Sequence, residues 1–386
     1  MIYFDNAATT ALHAGVLEAM MPYLQNNYGN PSSIHALGRK SRAAIEKARK
    51  TVAKHLQASV GEIFFTSGGT ESTNTALWGA VRNLGVQHII SSPTEHHCVL
   101  HTIHAIEKYH PVQAHFLPLL PNGHVNLQRL NELLTILPPG RVLVSLMHAN
   151  NEIGNLLPLQ TVSEICVKHN ALFHTDTVQT FGYYAIDLSR IAIDFLTGSA
   201  HKFHGPKGIG FLYINHRHHI DSMLQGGSQE RNMRAGTENL YGIVGLGAAT
   251  ELAYANLETD SRHIAMLKQY FMQQIKQALP QVTFNGDAEG QSHYKVLNIG
   301  FPPELQADLL LLNLDIAGIC ASGGSACSSG VDVGSHVLQA LGVHPQSVNI
   351  RFSFSKYNTI AEIDTAIETL CNVLRKAATK PAPPLV

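Results

Sequence analysis

Apolar residues along this chain follow two periods that take turns. Between Gly38 and His55, with Leu56 just beyond, Ile45, Ala48 and Val52 fall at helical spacing. Short apolar runs and helical patterns then alternate. Strands are predicted at His88–Ser91, Val112–Leu117, Val142–Met147 and Ala171–Thr175, with helices at Val99–Tyr109, Leu127–Leu137 and Leu159–His169 between them. Two more strand-like runs, Ile191–Thr197 and Ile209–Ile214, flank a short polar turn. This alternation predicts an α/β fold: an open, mostly parallel sheet with helices on both faces. Ligands of such sheets bind outside the carboxyl ends of the strands. After a long helical pattern from Tyr241 to Leu279 the rhythm changes. Val282–Phe284, Val296–Ile299, Ile316–Ser322 and Asn349–Phe354 read as strands of a smaller α+β domain. A last helix, with Ile363, Ala366, Ile367, Leu370 and Leu374 on one face, is expected to pack on it. No internal repeat breaks the pattern, and the proline-rich stretch from Pro381 to Val386 is expected to fray.

Composition narrows the possibilities. At 386 residues and 45% apolar the chain can bury a large core and form two or three structural units. A net charge of -1 implies no strongly basic face, so no direct nucleic-acid partner is expected. No apolar run reaches the length of a transmembrane helix, and the start, Met1-Ile2-Tyr3-Phe4-Asp5, lacks the features of a secretory signal. The five scattered cysteines read as reduced thiols, which points to the cytoplasm. Histidines number 23, and the His216-Arg217-His218-His219 cluster is expected to be a surface feature, because no element spacing fixes its rings as ligands. No metal site is expected.

Candidate chemistry clusters where predicted strands end. Gly198-Ser199-Ala200-His201-Lys202-Phe203-His204-Gly205-Pro206-Lys207-Gly208 holds Lys202 in a turn beside packed, low-dielectric structure. Burial lowers an amine's pKa, and only the neutral amine attacks a carbonyl. Lys207 is the competing amine, in a more solvated turn. Asp176 closes the strand before Thr177-Val178-Gln179. An acid to pair a pyridinium nitrogen and a lysine to form an imine are the two groups that pyridoxal phosphate most needs. Thr66-Ser67-Gly68-Gly69-Thr70-Glu71 precedes a helical pattern, either as a phosphate cradle or as a helix start capped by Thr70. Cys327 lies in Ala321-Ser322-Gly323-Gly324-Ser325-Ala326-Cys327-Ser328-Ser329-Gly330, where exposure would suit a sulfur nucleophile. Arg351, in the alternating Asn349–Phe354 run, could grip a carboxylate or form a structural salt bridge.

The Ser-x-His-Lys-x-x-Gly-Pro-Lys-Gly spelling around Lys202 and the Ser-Ala-Cys loop resemble the cysteine desulfurases, group I, of the class-V branch of the fold-type-I pyridoxal-phosphate enzymes. The likeness runs from Phe4 to about Leu374. It implies a large domain over 16–255 with a mostly parallel seven-stranded sheet. It also implies a small domain from 1–15 and 256–386, carrying a mobile cysteine loop at about 323–334. It assigns the imine to Lys202, ring stacking and acid–base help to His96, the pyridinium partner to Asp176, and the ring oxygen to Gln179 and Asn151. Gly69, Thr70, Ser199 and His201 would hold the phosphate, and Thr237 the phosphate of a neighbouring subunit in a homodimer. Arg351 would hold the substrate carboxylate, in a pocket lined by the arm with Asn6 and Ala7 and contacted by Asn151. His97, beside His96, is expected to cap a helix or face water. The implied reaction converts L-cysteine to alanine, leaves a persulfide on Cys327, and passes the sulfur to an iron–sulfur scaffold or a tRNA-thiolation enzyme. Rival readings are a selenocysteine lyase, another class-V lyase or aminotransferase, and a sulfur-trafficking scaffold with little turnover.

Overall fold

The computed structural model describes residues 1–323 and 334–378. The chain opens with β1 (Ile2–Tyr3), α1 (Ala14–Gln25) and α2 (Ala36–Leu56). In α2 the periodic residues Ile45, Ala48, Val52 and Leu56 are all buried, as their spacing predicts. No long helical pattern marks α1, because Pro22 lies inside it and its buried face is only Val16 and Met20.

A regular series follows: β2 (Ile63–Thr66), α3 (Gly69–Leu84), β3 (His88–Ser91), α4 (His97–Tyr109), β4 (Gln113–Phe116), α5 (Leu127–Ile136), β5 (Val142–Ser145), α6 (Leu159–Lys168), β6 (Leu172–Asp176), β7 (Phe195–Ser199) and β8 (Gly210–Ile214). The strands form one seven-stranded sheet in the order β2-β8-β7-β6-β5-β3-β4. Neighbours from β7 to β4 pair in parallel, while β8 runs antiparallel to β7 and β2. Every residue of β5, β7 and β8 is buried, as expected of strands covered on both faces by helices. The run predicted from Ile191 becomes strand only at Phe195. Asp194, inside that run, turns its carboxylate onto the Phe173 N–H at 2.8 Å instead.

The long pattern from Tyr241 to Leu279 is two helices, α7 (Leu240–Ala255) and α8 (Leu257–Ala278), broken at Asn256. Helix α7 packs against α1 and α2. It closes on α2 through Gly247, where a Cβ would come within 2.8 Å of the Ala48 Cβ. The remaining elements are β9 (Thr283–Phe284), β10 (Val296–Phe301), α9 (Leu310–Ile316), β11 (Ile319–Cys320), α10 (His336–Ala340), β12 (Val348–Ser353) and α11 (Ile360–Ala378). Strands β12, β10 and β9 make an antiparallel sheet with β10 central, and α11 packs on α8. The strand expected at Ile316–Ser322 is mostly absent. Ile316 ends α9, Gly318 turns the chain at a φ of +79°, and what stays extended is Ile319–Cys320, paired in parallel with β1, and an isolated bridge from Ser322 to Arg351. One apolar core joins the two sheets. In it Phe4, Phe271, Phe352 and Phe354 pack ring against ring, with neighbouring centroids 4.8 to 6.4 Å apart.

Candidate active site

The turns after β2, β3, β5, β6 and β7 enclose a cavity of about 270 Å³. It lies outside the strands' carboxyl ends, where the alternating pattern places a ligand. Lys202 reaches it from the last residue of a 3-10 turn, Ala200–Lys202, that directly continues β7. Its amine donates to the carbonyl oxygens of Ala7 and Ala8 at 2.7 and 2.8 Å, so the segment after β1 forms part of the wall. Lys207, the competing amine, is exposed and lines a separate shallow opening.

Asp176, Gln179, His96 and Asn151 line the same cavity. Asp176 ends β6, and its Oδ1 accepts the Val178 N–H at 2.8 Å. Burial raises its pKa to about 6, partly offset by that hydrogen bond and by the nearby Lys202. Such a carboxyl has capacity for a cationic partner. Gln179 donates its Nε2 to the Ala7 carbonyl at 2.9 Å and leaves a buried Oε1 without a partner in the protein. His96 caps α4, with Nδ1 accepting the Cys98 N–H at 3.1 Å. Burial, with the Lys202 charge, lowers its pKa to about 4, so the ring is neutral at neutral pH. It therefore serves as a cap and as a cavity wall at once.

Gly69, Thr70, Ser199 and His201 line both the cavity and the shallow opening beside it. Thr70 is not the helix cap: α3 begins at Gly69, its N-cap is Gly68, and no side chain caps it. The first-turn N–H groups thus remain available for an anion. The helix start presses on Val178, where a Cβ on Gly69 would come within 2.5 Å of Val178 Cγ2. His201 Nδ1 lies 3.1 Å from Thr9 Oγ1, and burial, helped by Lys202 and Lys207, lowers its pKa to about 4.

Arg351 is 1% exposed and also meets the cavity. The structural salt bridge is present. One arm of the guanidinium pairs with Asp5 at 2.8 Å and another donates to the Asn151 carbonyl at 2.8 Å, while its buried Nε has no partner in the protein. Ala7 lines the cavity, but Asn6 stands behind it and donates to the carbonyls of Tyr3 and Ser353 at 3.2 and 2.9 Å. Thr237 lines a different opening, with Ser67, Gly208 and Glu238. Cys327, and nearly all of the 323–334 loop expected to carry it, lie outside the described residues. The two flanks of that segment are anchored beside the cavity. Ser322 bridges the Arg351 backbone at 2.7 and 3.2 Å. Ser335 donates to Glu152 Oε2 at 2.5 Å, and the His336 ring lies 2.9 Å from the Glu95 carbonyl.

Several cavity residues carry no sequence signal for this role. His97, expected to cap a helix or face water, lines the cavity with its ring centroid 4.4 Å from that of His336. Cys98 and Glu152 line it as well. Burial beside Asp176 pushes the Cys98 thiol far up, which leaves it a poor nucleophile. Each histidine of the surface cluster that makes an ion pair has its own carboxylate: His216 sits 2.8 Å from Glu62, and His218 2.6 Å from Asp194. Among the described residues no group of three or more His, Cys, Asp or Glu could hold a metal ion.

A lysine at a strand end, a buried acid at the neighbouring strand end and an uncapped helix start around one cavity define an enzyme site of the fold-type-I kind. The sequence model of the class-V aminotransferases matches residues 2–365. A cysteine desulfurase IscS of Dictyoglomus turgidum is 41% identical over 383 residues, covering 98% of this chain and 95% of that protein. One of Methanosarcina thermophila is 42% identical over 380 residues, covering 97% and 92%. Among solved structures, a NifS-like protein superposes with a TM-score of 0.89 at 35% identity, covering 97% of this chain and 99% of the other. SspA in complex with cysteine superposes with a TM-score of 0.78 at 31% identity, covering 93% and 100%. The chain belongs to the class-V aminotransferase family and, within it, to the cysteine desulfurases. Enzymes of this family depend in general on pyridoxal phosphate.

Proposed function

We propose that the protein takes sulfur from L-cysteine, releases alanine, and carries the sulfur as a persulfide on Cys327. One observation supports this most: Lys202, Asp176 and Arg351 share a single cavity, and the two flanks of the segment that holds Cys327 are anchored beside it. From Ser322 to Cys327 is five residues, a span of at most about 18 Å when extended, which is ample to cross a cavity of this size.

The residues present fit pyridoxal phosphate. The orphaned Gln179 Oε1, the raised pKa of buried Asp176 and the uncapped start of α3 are acceptor, counter-ion and donor sites that the protein itself leaves unfilled. When bound, the cofactor supplies an electron-poor ring that disperses the charge left by loss of the substrate Cα proton. Asp176 holds a proton at the pyridine nitrogen. The N–H groups of Gly69 and Thr70, with Ser199 and His201, bind the phosphate. His96 would wall the cofactor's ring, Gln179 and Asn151 would bind its ring oxygen, and Asn6 holds the Ala7 segment in place from behind. Arg351 takes the substrate carboxylate, and Lys202 removes the Cα proton. The Cys327 thiolate attacks the substrate sulfur. An S–S bond forms, the C–S pair stays with the carbon skeleton, and that skeleton takes up protons and leaves as alanine. The persulfide then passes to a sulfur acceptor, an iron–sulfur scaffold or a tRNA-thiolation enzyme. A homodimer agrees with the exposed apolar stripe Leu17, Met21 and Leu24 along α1, and in it Thr237 would serve the partner's phosphate. We assign the work to the cytoplasm; among the described residues no helix is long and apolar enough to cross a membrane.

The test combines trapping with turnover. Borohydride should fix the cofactor on Lys202, and Cys327→Ser should keep the cofactor yet release no alanine from cysteine. An adduct on Lys207, or normal alanine release by the serine variant, would overturn the assignment.

A further inference from the structure

Lys295, immediately before β10, takes no part in the chemistry above, yet it has no exposed surface at all. Its Nζ donates to Tyr183 Oη at 3.0 Å and to the Lys202 carbonyl oxygen at 3.0 Å. Tyr183 Oη donates to that same carbonyl at 2.9 Å, and the Lys295 amine sits 4.3 Å from the centre of the Tyr183 ring. A lysine is almost never fully buried unless something specific holds it there. Burial, with the charges of Lys202 and Arg351, holds its pKa well below the ordinary lysine value. Two of its N–H donors are committed to these two acceptors.

The Lys202 carbonyl needs such partners. It lies at the end of the 3-10 turn, where helical geometry leaves carbonyls without an intrahelical donor. The next two residues leave the path of β7. Phe203 has φ -131° and ψ 46°, and His204 has φ +67°, a left-handed conformation unusual for a side chain of its size. The peptide plane that follows Lys202 is held on its N–H side by a single turn bond, Phe203 N–H to the Ala200 carbonyl at 3.1 Å, and on its carbonyl side by these two side-chain donors. The two donors come from distant parts of the chain and meet side by side at the carbonyl. Tyr183 stands in the turn after β6, while Lys295 enters from the smaller sheet. Its neighbours tighten the join: Tyr294 Oη donates to the Tyr183 carbonyl at 2.6 Å, and the His293 ring lies 3.1 Å from Tyr184 Oη.

We propose that Lys295 is a positioning residue: together with Tyr183 it clamps the Lys202 carbonyl and so sets the arc along which the Lys202 amine enters the cavity. The Nζ of Lys202 is reached through four freely rotating bonds from Cα. Fixing the peptide plane fixes the direction in which that chain departs, and this is the part of the reach that the cavity walls cannot control. The inference rests on the reading of Lys202 as the reacting amine.

The test uses cofactor-free protein, free pyridoxal as the probe, and borohydride, with the adduct site mapped by mass spectrometry. Capture rate, thermal midpoint, and the kcat and KM of the reloaded enzyme for cysteine are measured together. Lys295→Met should slow capture at Lys202 at least about fivefold and lower kcat to match, with KM within about twofold. Lys295→Gln, which keeps two N–H donors, should recover at least about half of the loss. Tyr183→Phe should show a smaller loss, and the double variant should lose less than the product of the two, because both donors serve one acceptor. Capture and kcat at parent values in Lys295→Met, with only the midpoint lowered, would show a merely structural lysine and overturn the proposal. If Lys295→Met does not fold, unchanged capture and kcat in Tyr183→Phe overturn it instead. A parent adduct on another lysine would instead sink the reading of Lys202, and this inference with it.

Discussion

Asp176 and Arg351 show how far a single side chain sets this chemistry. Asp176 is buried, and its charge is stabilised in the protein by one backbone N–H and by nearby Lys202. In the proposed reaction, replacing it with asparagine would remove a charge-assisted bond to a pyridinium, worth roughly 1.5–3 kcal/mol. Asp176→Asn should therefore lower turnover at least about tenfold while cysteine still binds, as steady-state kinetics will show. Arg351 has already committed two of its arms, to Asp5 and to the Asn151 carbonyl, so the proposed grip on a substrate carboxylate would rely on the remaining N–H groups. Arg351→Ala should raise KM for cysteine at least about tenfold, since a charged hydrogen bond is lost from a buried site. Cysteamine, which lacks the carboxylate, should be a poor substrate of the parent enzyme; equal processing of the two would remove this role. Asp176 is legible in the sequence because it closes an apolar run, and Lys202 because it sits in the polar turn between two such runs, so local pattern places both at or just beyond strand ends. His97, His336 and Lys295 are not. Their neighbours come from distant parts of the chain, and no local period encodes a meeting of residues 97 and 336 or of 202 and 295.

At the scale of elements, most of the fold follows from periodicity, and the failures have local causes. The strands of the large sheet stand out because each is a short apolar run between helical patterns. Helix α1 is hidden by Pro22 and a two-residue buried face. The break between α7 and α8 is hidden because apolar residues continue through it, and we propose Asn256 as the division between the two parts of the chain. The start of α3 carries a prediction of its own. Gly69 permits the close approach of the helix to Val178, and a methyl there must displace either Val178 or the helix start. Gly69→Ala should weaken pyridoxal-phosphate affinity at least about tenfold, equivalent to about 1.4 kcal/mol. Affinity for free pyridoxal, which has no phosphate to seat, should change little. Equal losses for both ligands would move the phosphate away from this helix.

The whole molecule buries many neutral imidazoles, and this shapes its response to acid. His96, His148, His201 and His204 each have a pKa lowered to about 4, with burial the largest cause. An unfolded chain takes up protons on these rings near pH 6.5, which the folded chain refuses until about pH 4. Their contribution to stability is full above about 6.5 and is lost as pH falls through 4. The unfolding midpoint should therefore drop steeply between pH 6.5 and 4, and His148→Gln, whose ring meets Thr180 and does not line the cavity, should flatten part of that slope. A midpoint independent of pH across this window would mean that the rings are already charged in the fold. Order of synthesis adds a further constraint. The wall that receives the Lys202 amine is built from residues 7 and 8, held in place by β1, and β1 pairs with β11 near residue 319. On a ribosome adding about 5–20 residues per second, those wall residues wait roughly a quarter of a minute to a minute for their partner strand. During that wait Lys202 and Asp176 already exist on the nascent chain, but the pocket between them has no closed side. Under the proposed function, a half-made polypeptide would not begin taking sulfur from cysteine before it is nearly complete.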